Sequence, residues 1–392
     1  MNDQPAELDA LTSAIRAGLD SDTQYSSVVP PLYPSTNYRF PSLDEHPDFD
    51  YSRSNNPTRT LLANALTRLE HGAGGVVTGS GMGALTATFE ALCGPHARVV
   101  APVDCYGGTW RLLDHLASRD RLVADFEALA DPDAATAALS TPADVVLIET
   151  PSNPLMRITD IATVSQQAHA AGAVVVVDNT FCSPLLQNPL DLGADVVVHS
   201  TTKFINGHSD TVGGAVITRT AEQAELINHW ANALGLTGGA WESWLIMRGL
   251  RTIDARIRVH QANATAVVDL LCSHPAVRTV NYPGLSSHPQ HELAARQQSG
   301  FGSLLSFELT GGVPAVRRFV DGLRCIDLAE SLGGTESLLC HPTTMTHAGM
   351  TPEARAEAGL SDDLLRLSVG IEPLNDLLAD LQAALDRSLP NQ

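Results

Sequence analysis

A mostly parallel α/β sheet with helices on both faces, followed by a smaller α+β domain, is the fold this sequence predicts, on three observations. Between residues 75 and 218, short β-branched runs alternate with helical stretches of about ten to twenty residues. Those runs are apolar at successive positions rather than at every second one, as strands covered on both faces must be. After about Arg251 the pattern changes to one long helical stretch and then to strands of alternating polarity.

Residues 1–55 read as an extended arm. Pro30, Pro31, Pro34, Pro41 and Pro47 interrupt any long helix, and DYSRSNNPTR is polar and turn-rich. An arm of this length is expected to pack on another domain or subunit. Residues 56–250 form the α/β domain. Its first helix starts near Pro57, carries Leu61, Leu62, Ala65, Leu66 and Leu69 on one stripe, and stops at Gly72. Strands are predicted over 75–78, 98–102, 144–149, 173–178, 195–199 and 213–218. Several end in or beside polar residues (Asp104, Glu149, Asp178, His199), and ligands gather at the carboxyl ends of such strands. Residues 251–392 form the second domain: a helix over 255–273, antiparallel-leaning strands in VRTVNYPG and FGSLLSFEL, and a closing helix with Leu374, Leu377, Leu378, Leu381 and Leu385 at helical spacing.

The composition is that of a globular two-domain protein: 392 residues, 44% hydrophobic and 17% charged, without low-complexity tracts. A net charge of -20 argues against nucleic-acid or anionic-membrane surfaces, while leaving room for an anionic small molecule on a local cluster of donors. The first twenty residues have no basic region leading into an apolar run, and no run approaches membrane-span length, so a soluble cytoplasmic protein is expected. Six cysteines lie far apart with no CxxC pair, which fits free thiols rather than disulfides or a metal site.

Of the 24 Lys and Arg residues, Lys203 is the only lysine. A primary amine can lose its proton and condense with an aldehyde, whereas guanidinium stays charged and is a poor nucleophile. A sole lysine directly after an apolar strand is therefore a candidate Schiff-base lysine, and pyridoxal phosphate the aldehyde it suggests. That cofactor needs an anion at its pyridine nitrogen, donors for its phosphate and an aromatic ring over its face. Asp178 ends AVVVVDNT and supplies the anion, the alternative being a turn cap. GVVTGSGMGAL is strand, glycine turn and helix start, so Gly81 and Met82 can offer backbone N–H groups to phosphate, with Ser200 and Thr202 adding hydroxyls. Tyr106 in DCYGGTW can stack on the ring or serve only as packing.

Other classes compete. Gly79, Gly81 and Ala84 satisfy G-x-G-x-x-A after a strand, and Asp104 follows the next, as in a dinucleotide-dependent dehydrogenase. That reading leaves Lys203 unexplained. His199, His208, His341 and His347 have no recognisable metal-ligand spacing. A non-catalytic binding protein would not need both Lys203 and Asp178.

In this order, ETPSNPLMRI, VVDNTF, HSTTKFINGHSD, AESLGGTESL, TMTHAGM and RLSVGIE resemble the cystathionine γ-synthase and γ-lyase group of the Cys/Met-metabolism pyridoxal-phosphate enzymes, over about residues 25–385. The resemblance implies a fold-type I enzyme, a homotetramer of dimers with active sites shared between chains. It implies that Lys203 links to the cofactor and shuttles protons, that Asp178 faces the pyridine nitrogen, that Tyr106 stacks and assists proton transfer, and that Gly81, Met82, Ser200 and Thr202 cradle the phosphate. Tyr51 and Arg53 would reach the phosphate of a neighbouring subunit. Arg366, flanked by leucines in LLRLSVG, would clamp the substrate carboxylate, for which its two parallel donors suit it, the alternative being a structural salt bridge. Asn153 and Ser331 would assist there, and Glu330 and Arg111 would lie toward the distal end. It also implies γ-replacement of an O-acylhomoserine by cysteine to give cystathionine, with cystathionine γ-lyase the alternative. Glu330, Gly108 in YGGT, and HPTTMTHAGM favour that choice over methionine γ-lyase or β-lyase. Ser54 stands where succinyl-using synthases can carry a second arginine, which leaves the acyl group open between succinyl and acetyl.

Overall fold

The computed structural model describes residues 9–390, and the start of the predicted arm and its reading as free of a leader lie partly outside them. The arm is not wholly extended: α1 (Ala10–Ile15) forms a short helix whose N-cap Asp9 accepts from Leu11 N–H at 2.9 Å. Only the later part of the arm carries the prolines that exclude helix. It lies on its own chain, where Trp244 Nε1 donates to Pro30 O at 3.1 Å and Asn56 Nδ2 donates to Tyr33 O at 2.9 Å. Tyr25, Val28 and Leu43 stay exposed.

The chain then runs α2 (Pro57–Leu69), β1 (Gly74–Thr78), α3 (Gly81–Leu92), β2 (Ala97–Pro102), α4 (Gly107–Ala117), β3 (Leu122–Glu127), α5 (Pro132–Ala138), β4 (Val145–Glu149), α6 (Ile161–Ala170), β5 (Val174–Asp178), α7 (Ser183–Leu186), β6 (Val196–His199), β7 (Gly214–Thr218), α8 (Ala221–Ala233) and α9 (Ala240–Leu250). The seven strands order as β1-β7-β6-β5-β4-β2-β3, with β7 antiparallel to both neighbours. The sequence reading missed β3. It is an edge strand of composition LVADFE with Val123 half exposed, so it lacks the apolar run of a doubly covered strand.

Alternation within the apolar runs builds two cores. Val77, Val146, Ile148, Val175, Val177 and Val197 pack on one face beneath α2, α6 and α9, while Val76, Val145, Leu147, Val176 and Val198 pack on the other beneath α3 and α8. Asp178 shares a face with Val176, hence with α3, and His199 shares a face with Val197, hence with α2.

A long helix, α10 (Ile253–Ser273), leads to β8 (Val277–Asn281), α11 (His291–Gln297), β9 (Leu304–Leu309), α12 (Gly312–Val320), β10 (Ile326–Leu328), β11 (Ser337–Cys340), α13 (Pro352–Ala358), β12 (Leu364–Ser368) and α14 (Leu374–Ser388). Five strands order as β10-β11-β12-β9-β8, antiparallel except for the β10–β11 pair. The α14 leucines Leu377, Leu381 and Leu385 are buried in this domain's own core. Among the described residues no helix is long and apolar enough to cross a membrane.

Candidate active site

A cavity of about 290 Å³ opens where the carboxyl ends of β4 and β5 meet the start of α3, the loop after β6 and the segments flanking β11 and β12. Of the residues the sequence assigns to a pyridoxal-phosphate site and its substrate, it brings together all except Tyr51, Arg53 and Arg111.

Lys203 follows β6 in an irregular loop, and its Nζ donates to Ser331 Oγ at 2.7 Å. Ser331 has φ of 87°, a left-handed conformation costly for a residue with a Cβ. That conformation lets one residue serve two groups, because its carbonyl also accepts from Arg366 Nη2 at 2.8 Å. Arg366 sits on β12, only 2% exposed, and its Nη1 donates to Asn153 Oδ1 at 3.0 Å. Its Nε has no partner, and among the described residues no carboxylate pairs with it. A buried cation surrounded by neutral acceptors is costly unless a ligand brings the anion. Burial, then repulsion from Arg366, lowers the Lys203 ammonium to about 8, opposed by Glu330.

That shift predicts a pH dependence. A lysine at its usual value would be only about 0.3% neutral at pH 8, whereas near 8 it is about half neutral. Labelling of the cofactor-free protein by an amine-directed reagent, read by mass on the Lys203 peptide, should rise with pH about a midpoint near 8. A midpoint above about 10 would mean that the lysine is not held in this environment.

Asp178 ends β5, in register with Glu149 at the end of β4, so two carboxyl groups lie side by side on one face. Burial raises Asp178 above its usual value, opposed by hydrogen bonds from Thr180, whose N–H donates to Asp178 Oδ1 at 3.0 Å. Burial, then repulsion from Asp178, raises Glu149 well above its own. Sequence reading marked Glu149 as a strand-end carboxylate and gave it no role. Its oxygens accept from Tyr106 N–H at 2.8 Å and Asn153 N–H at 3.2 Å, tying the Tyr106 turn to the Asn153 loop. Tyr106 packs over Gly108, where a Cβ would stand 2.4 Å from its ring, so a side chain at 108 would displace the ring.

At the start of α3, Ser80 caps the helix by accepting from Gly83 N–H at 2.9 Å, which leaves the first-turn N–H groups of Gly81 and Met82 without intrahelical acceptors. Gly81 lies against Ser200: a Cβ there would be 2.8 Å from the serine Cβ. Thr202 Oγ1 donates to Gly213 O at 3.2 Å. Helix-start N–H groups beside a serine and a threonine make an anion cradle. A carboxyl pair wanting a cation, an amine near its titration point and a cavity-facing tyrosine complete a donor set that fits pyridoxal phosphate.

Other residues fall elsewhere. Arg53 donates to Asn232 O and Oδ1 at 3.0 and 2.7 Å, with its guanidinium 5.4 Å from the Tyr51 ring centre, on an exposed part of the arm. Arg111 lies against Gly349, off the cavity wall. Asp104 accepts from Ser152 Oγ at 2.6 Å and Arg157 Nη1 at 3.3 Å, and β1 is an edge strand antiparallel to its only sheet neighbour. The dinucleotide pattern is thus corrected: its glycines start an anion cradle, and its acid is already engaged. His199 points away from the cavity into a buried pair with Glu70 at 2.6 Å, and His347 donates through Nε2 to Asn153 O at 3.0 Å.

The family model for Cys/Met metabolism PLP-dependent enzymes matches residues 11–386. Cystathionine gamma-synthase of Escherichia coli strain K12 is 51% identical over 371 residues, spanning 95% of this chain and 96% of that protein. Cystathionine gamma-lyase of Dictyostelium discoideum is 42% identical over 385 residues, spanning 98% and 99%. Among solved structures, cystathionine gamma synthase from Xanthomonas oryzae pv. oryzae in complex with cystathionine is 56% identical with a TM-score of 0.96, covering 97% of this chain and 99% of that one.

Proposed function

Because the chain belongs to the Cys/Met metabolism PLP-dependent enzymes, with pyridoxal phosphate as cofactor, we propose that it is a cystathionine γ-synthase. The reaction is replacement of the acyloxy group of O-succinyl-L-homoserine, or of the O-acetyl ester, by L-cysteine, giving L-cystathionine and the carboxylic acid. Its place would be methionine biosynthesis in the cytoplasm. The two synthases matched above are 51% and 56% identical to this chain, and the lyase is 42% identical.

The observation that carries the chemistry is the bridge through Ser331. Its hydroxyl receives the lysine amine and its carbonyl receives the arginine, so an amino acid held through its carboxylate by Arg366 presents its α-carbon toward Lys203. When bound, pyridoxal phosphate supplies the electron sink that makes protons near the amino-bearing carbon removable. Lys203 takes the α-proton as a base near its titration point and returns protons at neighbouring carbons. Asp178 would keep the pyridine nitrogen of the cofactor protonated, its raised value falling once a cation pairs with it. Gly81, Met82, Ser200 and Thr202 would hold the phosphate, and Tyr106 would stack on the ring and assist proton transfer. Arg366 binds the α-carboxylate with Asn153, while Glu330 lies toward the distal end. Tyr51 and Arg53 of a second copy would complete the phosphate site, in a homotetramer built from such dimers. Arg111, which packs against Gly349, would lie toward the acyl group of the substrate.

The test gives the purified enzyme O-succinylhomoserine with and without cysteine, beside cystathionine alone, and follows cystathionine, 2-oxobutanoate and ammonia. Rapid cystathionine formation that needs cysteine, with slow breakdown of cystathionine, is the expected result. Fast release of 2-oxobutanoate and cysteine from cystathionine would overturn the synthase in favour of a γ-lyase.

A further inference from the structure

Arg256, the fourth residue of α10, is 4% exposed, and no carboxylate lies within ion-pair distance of it among the described residues. All its contacts are neutral. Nη1 donates to Phe204 O at 2.7 Å, Nη2 to Ile205 O at 3.2 Å and Gly249 O at 2.9 Å, and Nε to Thr252 Oγ1 at 3.1 Å. Phe204 and Ile205 are the two residues after Lys203, and Gly249 lies in the last turn of α9, whose carbonyls favour a cation. The approach is close enough that a Cβ on Gly207, at φ of +69°, would stand 1.9 Å from Nη1. Burying a guanidinium without an anion is expensive, and burial lowers it to about 10. What the fork gains is simultaneous purchase on an irregular loop and a helix end.

One turn further along the same face, His260 is fully buried. Its value is lowered to about 4 by burial, so the ring is neutral and Nδ1–H donates to Val369 O at 2.7 Å. Its ring meets that of Phe204 edge-on, 5.6 Å between centres. Asn263, the next residue on the stripe, donates to Gly370 O at 3.1 Å and Glu372 O at 3.0 Å. Val369 is three residues from Arg366. One helix face therefore grips the lysine loop at its start and the extension of the arginine strand further on.

We propose that the buried polar face Arg256, His260 and Asn263 of α10 is a positioning element that holds the backbone after Lys203 in register with the strand carrying Arg366. It rests on the assignment of Lys203 and Arg366 to the reaction proposed above. None of the three lines the cavity. A loop clamped at one end and a strand clamped at the other keep amine and guanidinium on opposite sides of Ser331, and slippage of either would misplace the α-carbon relative to the base.

The test compares His260→Leu, His260→Asn and Arg256→Met as holoenzymes with wild type. Readouts are KM and kcat for the acylhomoserine, and the pH midpoint of the visible absorbance of the bound cofactor. Groups facing Lys203 across the cavity are Arg366, Glu330, Asp178, Glu149 and Tyr106, and all are unchanged in these variants. His260→Leu, which has no donor, is expected to lose about 10- to 100-fold in kcat/KM and to move the pH midpoint by at least about 0.3 unit. His260→Asn, whose amide can stand where Nδ1–H stood, is expected to return to within about threefold of wild type. Arg256→Met should match or exceed His260→Leu. If it gives no folded protein, the His260 pair decides. Variants that melt lower yet keep wild-type kcat/KM and pH midpoint, or an asparagine that rescues no better than leucine, overturn the proposal. Wild type that bound cofactor normally but left acylhomoserine unturned would instead remove the reaction assigned above, while the pH midpoint would still test the clamp.

Discussion

Replacing Lys203 with arginine is expected to lower turnover by at least about 10⁴-fold and to remove the visible absorbance of the bound cofactor. Arginine keeps the positive charge beside Arg366 and Glu330, so the electrostatics of the cavity change little. The chemistry is lost because guanidinium neither condenses readily with an aldehyde nor gives up its proton near pH 8. Every other Lys or Arg position in the chain is arginine, and 203 alone carries a lysine amine. Borohydride treatment followed by peptide mass analysis should mark the Lys203 peptide in wild type and nothing in the variant, which has no other lysine. Turnover within tenfold of wild type, or a borohydride mark elsewhere, would remove Lys203 from the reaction. The melting midpoint should move by less than about 4 °C, since Lys203 gives up a single side-chain hydrogen bond to Ser331.

How far the sequence reached depended on whether a residue's meaning was local. Lys203 was legible because its type is unique, and Asp178 because a carboxylate ending five apolar positions needs a reason. Helix starts at Pro57 and Gly81 were legible from their own capping chemistry. Glu149 was visible by the same strand-end logic as Asp178, yet its role depends on being in register with Asp178 and on the N–H groups of Tyr106 and Asn153, which sequence order does not disclose. Arg256 was invisible: in IDARIRVHQAN it is one of two arginines on a helical stretch, and Phe204 and Ile205, which tie it to the lysine loop, lie about fifty residues away. The same holds for His199, which by position could have faced the cavity. The parity of β6 instead turns it toward Glu70. The contacts of Arg53 with Asn232 and with the Tyr51 ring give no sign of a phosphate site, so the assignment of this pair rests on the resemblance.

The fold explains why these distant pieces can cooperate. Strand ends of the larger sheet bring Asp178, Glu149 and the Lys203 loop to one edge, and β12 of the smaller sheet brings Arg366 against them. The cavity therefore draws its walls from both sheets, and Ser331 is where they touch. A residue in a left-handed conformation at that junction is a local cost that the arrangement sustains because its hydroxyl and carbonyl must face opposite ways.

Arg366→Lys is expected to raise KM for the amino-acid substrate by at least about 30-fold. Truncating one partner of a buried, hydrogen-bonded charge pair costs about 2–5 kcal/mol, or about 30- to 5000-fold in affinity. Lysine conserves the charge, so the loss isolates geometry. A shorter single-point ammonium cannot reach Asn153 Oδ1 and Ser331 O while also presenting two parallel donors to a carboxylate. The effect should fall more on KM than on kcat, because the carboxylate contact is made before and during reaction alike. Arg366→Leu separates the second role. Removing the cation also removes the repulsion that helps hold Lys203 near 8, so the Lys203 labelling midpoint should rise in the leucine variant and stay near 8 in the lysine variant. If both variants keep the wild-type KM, Arg366 is a structural residue and the carboxylate binds elsewhere. If KM rises in both but the Lys203 midpoint moves in neither, the clamp survives while the coupling between arginine and lysine does not.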